Sequence, residues 1–230
     1  MFEQTSPIPV AQTTVQRRAA FIAKTYRLLF LSILAFAGVE YVLFTTGIAQ
    51  RVADFAFNTN WLLFMGGFIL LASLSRRFAR SGSSTPTQYA ALGAYVVFEA
   101  VFFAPLLFVA DSYFPGVISS AAAITVIGFA VLTGIVFVTR KDFSFMRTAL
   151  MWIGFGALGL IIASVLFGFQ LGTAFSIGMV VFAGATILYD TSNILHRYPE
   201  DAYVGAAIDL FASVALMFWY VLRLLMSGRR

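Results

Sequence analysis

Asp190 and Asp209 lie inside the last two of seven long apolar stretches of this 230-residue chain, on either side of a short polar turn, His196-Arg197-Tyr198-Pro199-Glu200-Asp201. A carboxylate within a membrane span costs roughly 3 kcal/mol on insertion scales, so an ion or proton role is its default reading. At 1.5 Å rise per residue, Asp190 falls about 9 Å below the turn along the incoming helix, and Asp209 about 9–12 Å below it along the outgoing one. Two acids on neighbouring helices therefore share a depth.

Other ionisable residues at membrane depth are few. Glu99, near the middle of the third apolar stretch, is either protonated and structural or part of a proton or cation route, and Pro105 is expected to kink the same helix. Glu40 lies nearer the outer end of the first stretch, where a structural role at the interface is expected. Arg76 ends the second stretch on the side of the two aspartates. It either neutralises one of them or anchors its helix at the membrane surface. Arg223 is expected to snorkel to the headgroups, and His196 to be a solvated loop residue. No histidine or lysine at membrane depth accompanies the serines and threonines as a base, so nucleophilic hydrolysis has no catalytic set. Two acids on adjacent helices would also suit an intramembrane aspartyl protease, but neither carries a glycine-flanked motif. Gly154-Phe155-Gly156-Ala157-Leu158-Gly159 spells the dinucleotide fingerprint, yet it lacks the preceding strand and the following acid; helix packing is the reading it supports.

The composition requires a membrane. Hydrophobic residues make up 60% of the chain and charged residues 11%, and the mean hydropathy is +0.90; soluble domains are about half apolar and a quarter charged. Apolar runs at 28–47, 60–75, 89–110, 117–138, 149–168, 173–194 and 203–226 are each near the roughly 20 residues needed to cross a bilayer. They are apolar throughout instead of alternating, which selects helices over barrel strands. The expected fold is an all-α, seven-helix membrane bundle. The second run is short enough to be tilted or re-entrant. Small residues within the runs (Gly66, Gly67, Gly128, Gly134, Gly178, Gly184) are expected to let helices approach closely. No cysteine is present and only one histidine, so thiolate chemistry is excluded and a zinc or di-iron site would lack its usual ligands; no cofactor is expected.

The net charge of +5 has its source in the loops. Arg17, Arg18, Lys24 and Arg27 precede the first span; Arg76, Arg77 and Arg80 follow the second; Arg140, Lys141 and Arg147 lie between the fourth and fifth. Positive residues stay in the cytoplasm, which places the N-terminus and the 197–202 turn there. Seven spans then put Arg229 and Arg230 outside, against the rule, unless one segment is re-entrant. With no basic stripe outside the membrane, nucleic-acid binding is not expected. Residues 1–24 read as a polar, flexible cytoplasmic tail without a cleavage site, and the stretch ahead of Arg17 shows no apolar face to pack. Residues 25–230 form the membrane domain.

Three stretches carry a family resemblance: Arg140-Lys141-Asp142-Phe143-Ser144-Phe145-Met146, Leu188-Tyr189-Asp190-Thr191-Ser192-Asn193-Ile194-Leu195, and Ala207-Ile208-Asp209-Leu210-Phe211. With Glu99 to Pro105, they resemble the Bax inhibitor motif family of multi-pass membrane proteins, over essentially the whole chain after the tail. The lack of extra domains and the short basic N-terminus look bacterial, which points to the cytoplasmic (inner) membrane. The resemblance implies a seven-helix fold whose last helix is wrapped by the other six. It also implies two aspartates on the last two helices that share a proton and close a calcium-permeable path, with a second-span arginine interacting with them. Asp190 matches the first acid and Arg76 the arginine. The second acid of the calcium-leak members falls one turn after Asp209, where this chain has Ser213. Bacterial members with serine there resemble partners and modulators of a membrane-bound ATP-dependent protease.

Two functions follow as expectations. One is a pH-sensitive calcium or cation leak, since carboxylates suit calcium and two close acids cannot both ionise cheaply. The other is a non-transporting regulator that binds a membrane protease or another integral protein, its polar tail suited to engagement by an unfolding machine. Topology is testable at once, because single cysteines can be introduced into this cysteine-free chain. Positions 77, 140 and 196 are expected to react with an impermeant thiol reagent from the cytoplasmic side and position 230 from the other. Reaction of position 230 only from the cytoplasm removes the seven-span arrangement.

Overall fold

A computed structural model describes residues 9–59, 61–79 and 83–228. Within them the chain is helical: α1 (Val15–Thr45), α2 (Ile48–Asn58), α3 (Trp61–Phe78), α4 (Thr85–Tyr113), α5 (Val117–Thr139), α6 (Arg147–Phe167), α7 (Thr173–His196) and α8 (Tyr203–Ser227). Seven of these, all but α2, are long and apolar enough to span a bilayer. Residues 1–8, Arg80, Arg229 and Arg230 lie outside the described residues, so the expectation for the C-terminal end is not addressed by the fold.

The spans follow the apolar runs closely, and two departures have plain causes. First, α1 begins at Val15, capped by the Thr14 hydroxyl that accepts from the Arg17 amide. Its 31 residues extend about 46 Å, well beyond a hydrocarbon core of about 30 Å. The polar residues after Val15 are thus helical within the segment read as a tail. Second, α2 occupies what looked like a loop. Gly47 turns the chain at φ 70°, and Ala49, Ala53 and Ala56 form the buried face of the short helix, which packs on α4 and α1. Helix α4 carries Pro105, which is buried, within its length. The short run at 60–75 is a regular helix, α3, of 18 residues.

Helix α8 is central. It packs against α7, α1, α5, α4 and α3, and 67% of its most apolar window is buried, against 11% for α6 at the periphery. Small residues allow this: Ala206, Ala207 and Ala215 are all buried on α8, and a Cβ at Gly205 would lie 3.3 Å from the backbone carbonyl oxygen of Ala79. Met217 fills the space opposite, its Sδ 3.3 Å from where a Cβ of Gly128 would stand and its Cε 3.6 Å from that of Gly184. The close-approach expectation therefore holds for Gly128 and Gly184. It is corrected for Gly66, Gly67, Gly134 and Gly178, where a Cβ would meet nothing within 4 Å.

All four basic segments gather at one end of the bundle. Ala79, closing α3, abuts Gly205 of α8. The α5–α6 loop reaches α7, with the Phe143 amide donating to Ser192 Oγ at 2.9 Å and Arg197 paired with Asp142 at 3.2 Å. The N-terminal segment meets Tyr198. Because Gly205 faces backbone instead of a movable side chain, Gly205→Leu is expected to cost about 1–3 kcal/mol. Gly178→Ala is expected to be near neutral; thermal unfolding of both variants in the same detergent measures the contrast.

Candidate functional site

The α7–α8 turn brings two acids to one depth. Asp190 stands six residues before the end of α7 and Asp209 six residues after the start of α8, about 9 Å along each helix. Each takes its own hydroxyl donor. Ser213 Oγ donates to Asp190 Oδ2 at 2.5 Å, and the Tyr198 hydroxyl donates to Asp209 Oδ2 at 2.6 Å. Asp209 and Ser213 are one turn apart, so α8 turns the same face toward both contacts. Ser213 is itself buried. Ser213 thus touches Asp190 directly, through its hydroxyl.

Arg76 approaches from α3. Its Nη2 donates to the Tyr95 hydroxyl at 3.2 Å, and its guanidinium lies 5.5 Å from the centre of the Tyr95 ring, within cation–π range. Tyr95 precedes Glu99 by one turn of α4, and Glu99 is buried with Oε2 lacking a hydrogen-bond partner among the described residues. Arg76, Tyr95, Glu99, Asp190, Asp209 and Ser213 all line a single cavity of about 630 Å³. Asp190, Asp209, Arg76, Ser213 and Glu99, all named in the sequence analysis, are brought together here, whereas Glu40 and His196 are not among its lining residues.

The same cavity reaches Trp61, the first residue of α3, and Arg223, near the end of α8. Trp61 and Arg76 are 15 residues apart, about 22 Å of helix, so the cavity follows α3 through most of the bilayer depth. Aromatic rings line it away from the acids: Phe102 stacks on Phe68 at 4.2 Å and on Trp219 at 5.1 Å. Chemically the arrangement offers carboxylates and hydroxyls at one end, a mid-depth glutamate, and an arginine at each extremity.

Three polar side chains outside the acid pair have defined surroundings. Arg223 Nη2 donates to the Leu171 carbonyl at 3.3 Å, tying α8 to the α6–α7 loop. His196 is not a solvated loop residue but the last residue of α7, half-buried, with Nδ1 2.9 Å from the Ser192 carbonyl. Glu40 is buried, and neither carboxyl oxygen has a hydrogen-bond partner among the described residues. Two residues of the site, Tyr95 and Tyr198, were passed over in the sequence. The signal for Tyr95 was its spacing of four from Glu99; Tyr198 stood in the turn between the two acids.

The sequence stretches that carried the resemblance meet in space. Asp142 accepts from the Ser144 amide at 2.8 Å and pairs with Arg197, whose Nη2 also donates to Ser144 Oγ. The Ser144 hydrogen bonds, with the Arg197 guanidinium beside them, hold the Asp142 carboxyl down at about 2. Ser192, two residues after Asp190, accepts from the Phe143 amide, so the loop is fastened to the helix that carries the first acid.

Known proteins place this architecture. Over 231 residues the chain is 28% identical to the Bax inhibitor 1 of Schizosaccharomyces pombe, covering 94% of this chain and 80% of that one. It is 26% identical to a Golgi anti-apoptotic protein of vaccinia virus, covering 94% and 89%. An uncharacterised protein of Pseudomonas aeruginosa is 40% identical over 111 residues, which is 47% of this chain and 49% of that relative's length. None of these names is that of an enzyme. The family described as inhibitor of apoptosis-promoting Bax1 matches residues 18–230, from the first turn of α1 through α8, and the chain belongs to that family of multi-pass membrane proteins.

Proposed function

We propose that this protein is a pH-sensitive cation leak of the bacterial cytoplasmic membrane, with calcium the favoured ion and Asp190 and Asp209 as its gate. The observation that carries this reading is the cavity itself: it follows α3 for about 22 Å and holds both acids, Glu99 and Ser213. In this reading the basic end of the bundle faces the cytoplasm, as the positive-inside rule requires. Protonation of the acids sets whether α8 and α7 stay fastened together. Arg76, held by Tyr95, supplies the positive charge that an ionised acid would otherwise lack in a low-dielectric surrounding.

One observation favours a second reading. Ser213 holds Asp190 with a hydroxyl where the leak members of the resembled family place a second carboxylate. A serine cannot change charge, so the Asp190–Ser213 contact by itself is not a proton-sharing pair. In this reading the bundle is a non-transporting partner of a membrane-bound ATP-dependent protease or another integral protein, and Asp190 is structural.

Calcium flux in proteoliposomes across about pH 5 to 8 separates the two. A leak gated by the acids shows pH-dependent flux that Asp190→Asn makes insensitive to pH. Ser213→Asp is expected to steepen the pH dependence, because it adds a titrating group one hydrogen bond from Asp190. Absence of flux in the wild-type protein at every pH removes the leak reading and leaves the regulator.

A further inference from the structure

The segment ahead of α1 is fastened to the bundle at one place. Pro9 pairs in antiparallel fashion with Pro199, and the Val10 amide donates to the Tyr198 carbonyl at 2.9 Å. The Val10 side chain is 0% exposed and belongs to the core cluster that includes Phe21, Ile194 and Val204. The stretch ahead of Arg17 therefore does have an apolar contact, contrary to the expectation from its composition. The Thr13 hydroxyl and amide both return to the Val10 carbonyl, at 2.8 and 3.2 Å, closing the Val10–Gln12 turn before the helix starts. Beyond it, Arg17 lies 3.6 Å from Glu200 and the Phe21 ring 6.4 Å from that of Tyr198.

Every one of these inter-element contacts falls on, or directly beneath, the α7–α8 turn, and Tyr198 receives three kinds. Its carbonyl is held by Val10, its ring by Phe21, and its hydroxyl donates to Asp209. Burial pushes the Tyr198 phenol well above its ordinary range, with the Asp209 carboxylate adding to it, so the hydroxyl remains a donor at any physiological pH. Tyr198, whose backbone carbonyl takes the Val10 amide and whose ring lies beside Phe21 of α1, thus fixes the orientation of one of the two acids. The buried valine and the backbone hydrogen bond are the substantial contacts. The Arg17–Glu200 pair, exposed on both sides, adds little.

We propose that residues 9–14 form a strap that clamps the α7–α8 turn over the acid-bearing end of the cavity, with Tyr198 as the positioning residue that transmits the clamp to Asp209. Docked, the strap holds Asp209 on the Tyr198 hydroxyl and restrains the first turn of α8. Undocked, the turn is free to move and Asp209 loses its donor. Whatever engages the N-terminus thereby acts on the acid pair without touching the membrane-embedded part of the chain. The consequence for ion flux rests on the leak reading above; the clamp itself does not.

The test uses the full chain in nanodiscs and proteoliposomes. Hydrogen exchange over residues 198–209 reads the clamp independently of any transport. Val10→Asp, which sets a charge in a fully buried position, is expected to raise that exchange several-fold and to raise calcium flux. Tyr198→Phe keeps the ring and the carbonyl but loses the hydroxyl. It should leave the Val10 amide protected and the melting temperature near wild type while still raising flux, which a merely structural tyrosine would not do. If Val10→Asp fails to fold, Pro9→Cys with Pro199→Cys supplies the converse: oxidation should slow exchange in the turn and lower flux, and reductant should reverse both. Unchanged exchange in the turn with the strap released or locked overturns the proposal whatever the flux. Measurable wild-type flux that Tyr198→Phe leaves unaltered overturns the link to Asp209. Altered exchange with no calcium flux in any form upholds the clamp and removes the leak reading instead.

Discussion

Placing α8 among the other helices is the constraint on which the rest of the structure depends. In a bilayer there is no hydrophobic gain from burying one apolar helix against another, since lipid tails are as apolar as leucine; association depends on close fit and on polar contacts. The fit here is made by Ala206, Ala207 and Ala215 on α8 and by Gly205 against the end of α3. Met217 fills the space left by Gly128 and Gly184 on two neighbours, with the flexible thioether suited to an irregular gap. A helix enclosed in this way is where carboxyl and hydroxyl groups can be carried at depth without facing lipid.

The polar contacts then follow from spacing. Asp209 and Ser213 lie a turn apart, and each finds a partner on an element that the close fit has already brought near: Tyr198 in the turn and Asp190 on α7. Arg76 and Tyr95 form a third contact on the far wall. No pair in this set is an ion pair with both charges directly opposed. The acids are satisfied by hydroxyls, and the arginine by a phenol and its ring. Such an arrangement holds the groups in position without opposing two full charges in a buried salt bridge.

The spans were legible because their apolar runs are unbroken and near bilayer length, and Asp190, Asp209, Glu99 and Arg76 because an ionisable residue in such a run stands out. Ser213 entered only through comparison with a family pattern, since a lone serine in a span carries no signal. What escaped notice was small or mixed in character. Helix α2 buries three alanines and leaves Phe55 and Phe57 exposed, a pattern too short and too polar to read as a span. The early start of α1 was hidden by Arg17, Arg18 and Lys24, which a helix projecting beyond the bilayer accommodates on its surface. Val10 is a single apolar residue beside a proline, and only the fold shows that it is buried. The glycines misled in the opposite sense: letters that permit close approach do not say which helix, if any, approaches.

Helix α6 touches only α7, α3 and its own lead-in turn among the described elements, and Trp152, Phe155, Leu166 and Phe167 are exposed on it. Leu150, Met151 and Ile161 of the same helix line the cavity. The partition between the cavity and the outer surface of the bundle is therefore one helix thick along this face. With so few protein contacts of its own, α6 depends on the thickness and packing of the surrounding bilayer for how it lies against α3 and α7.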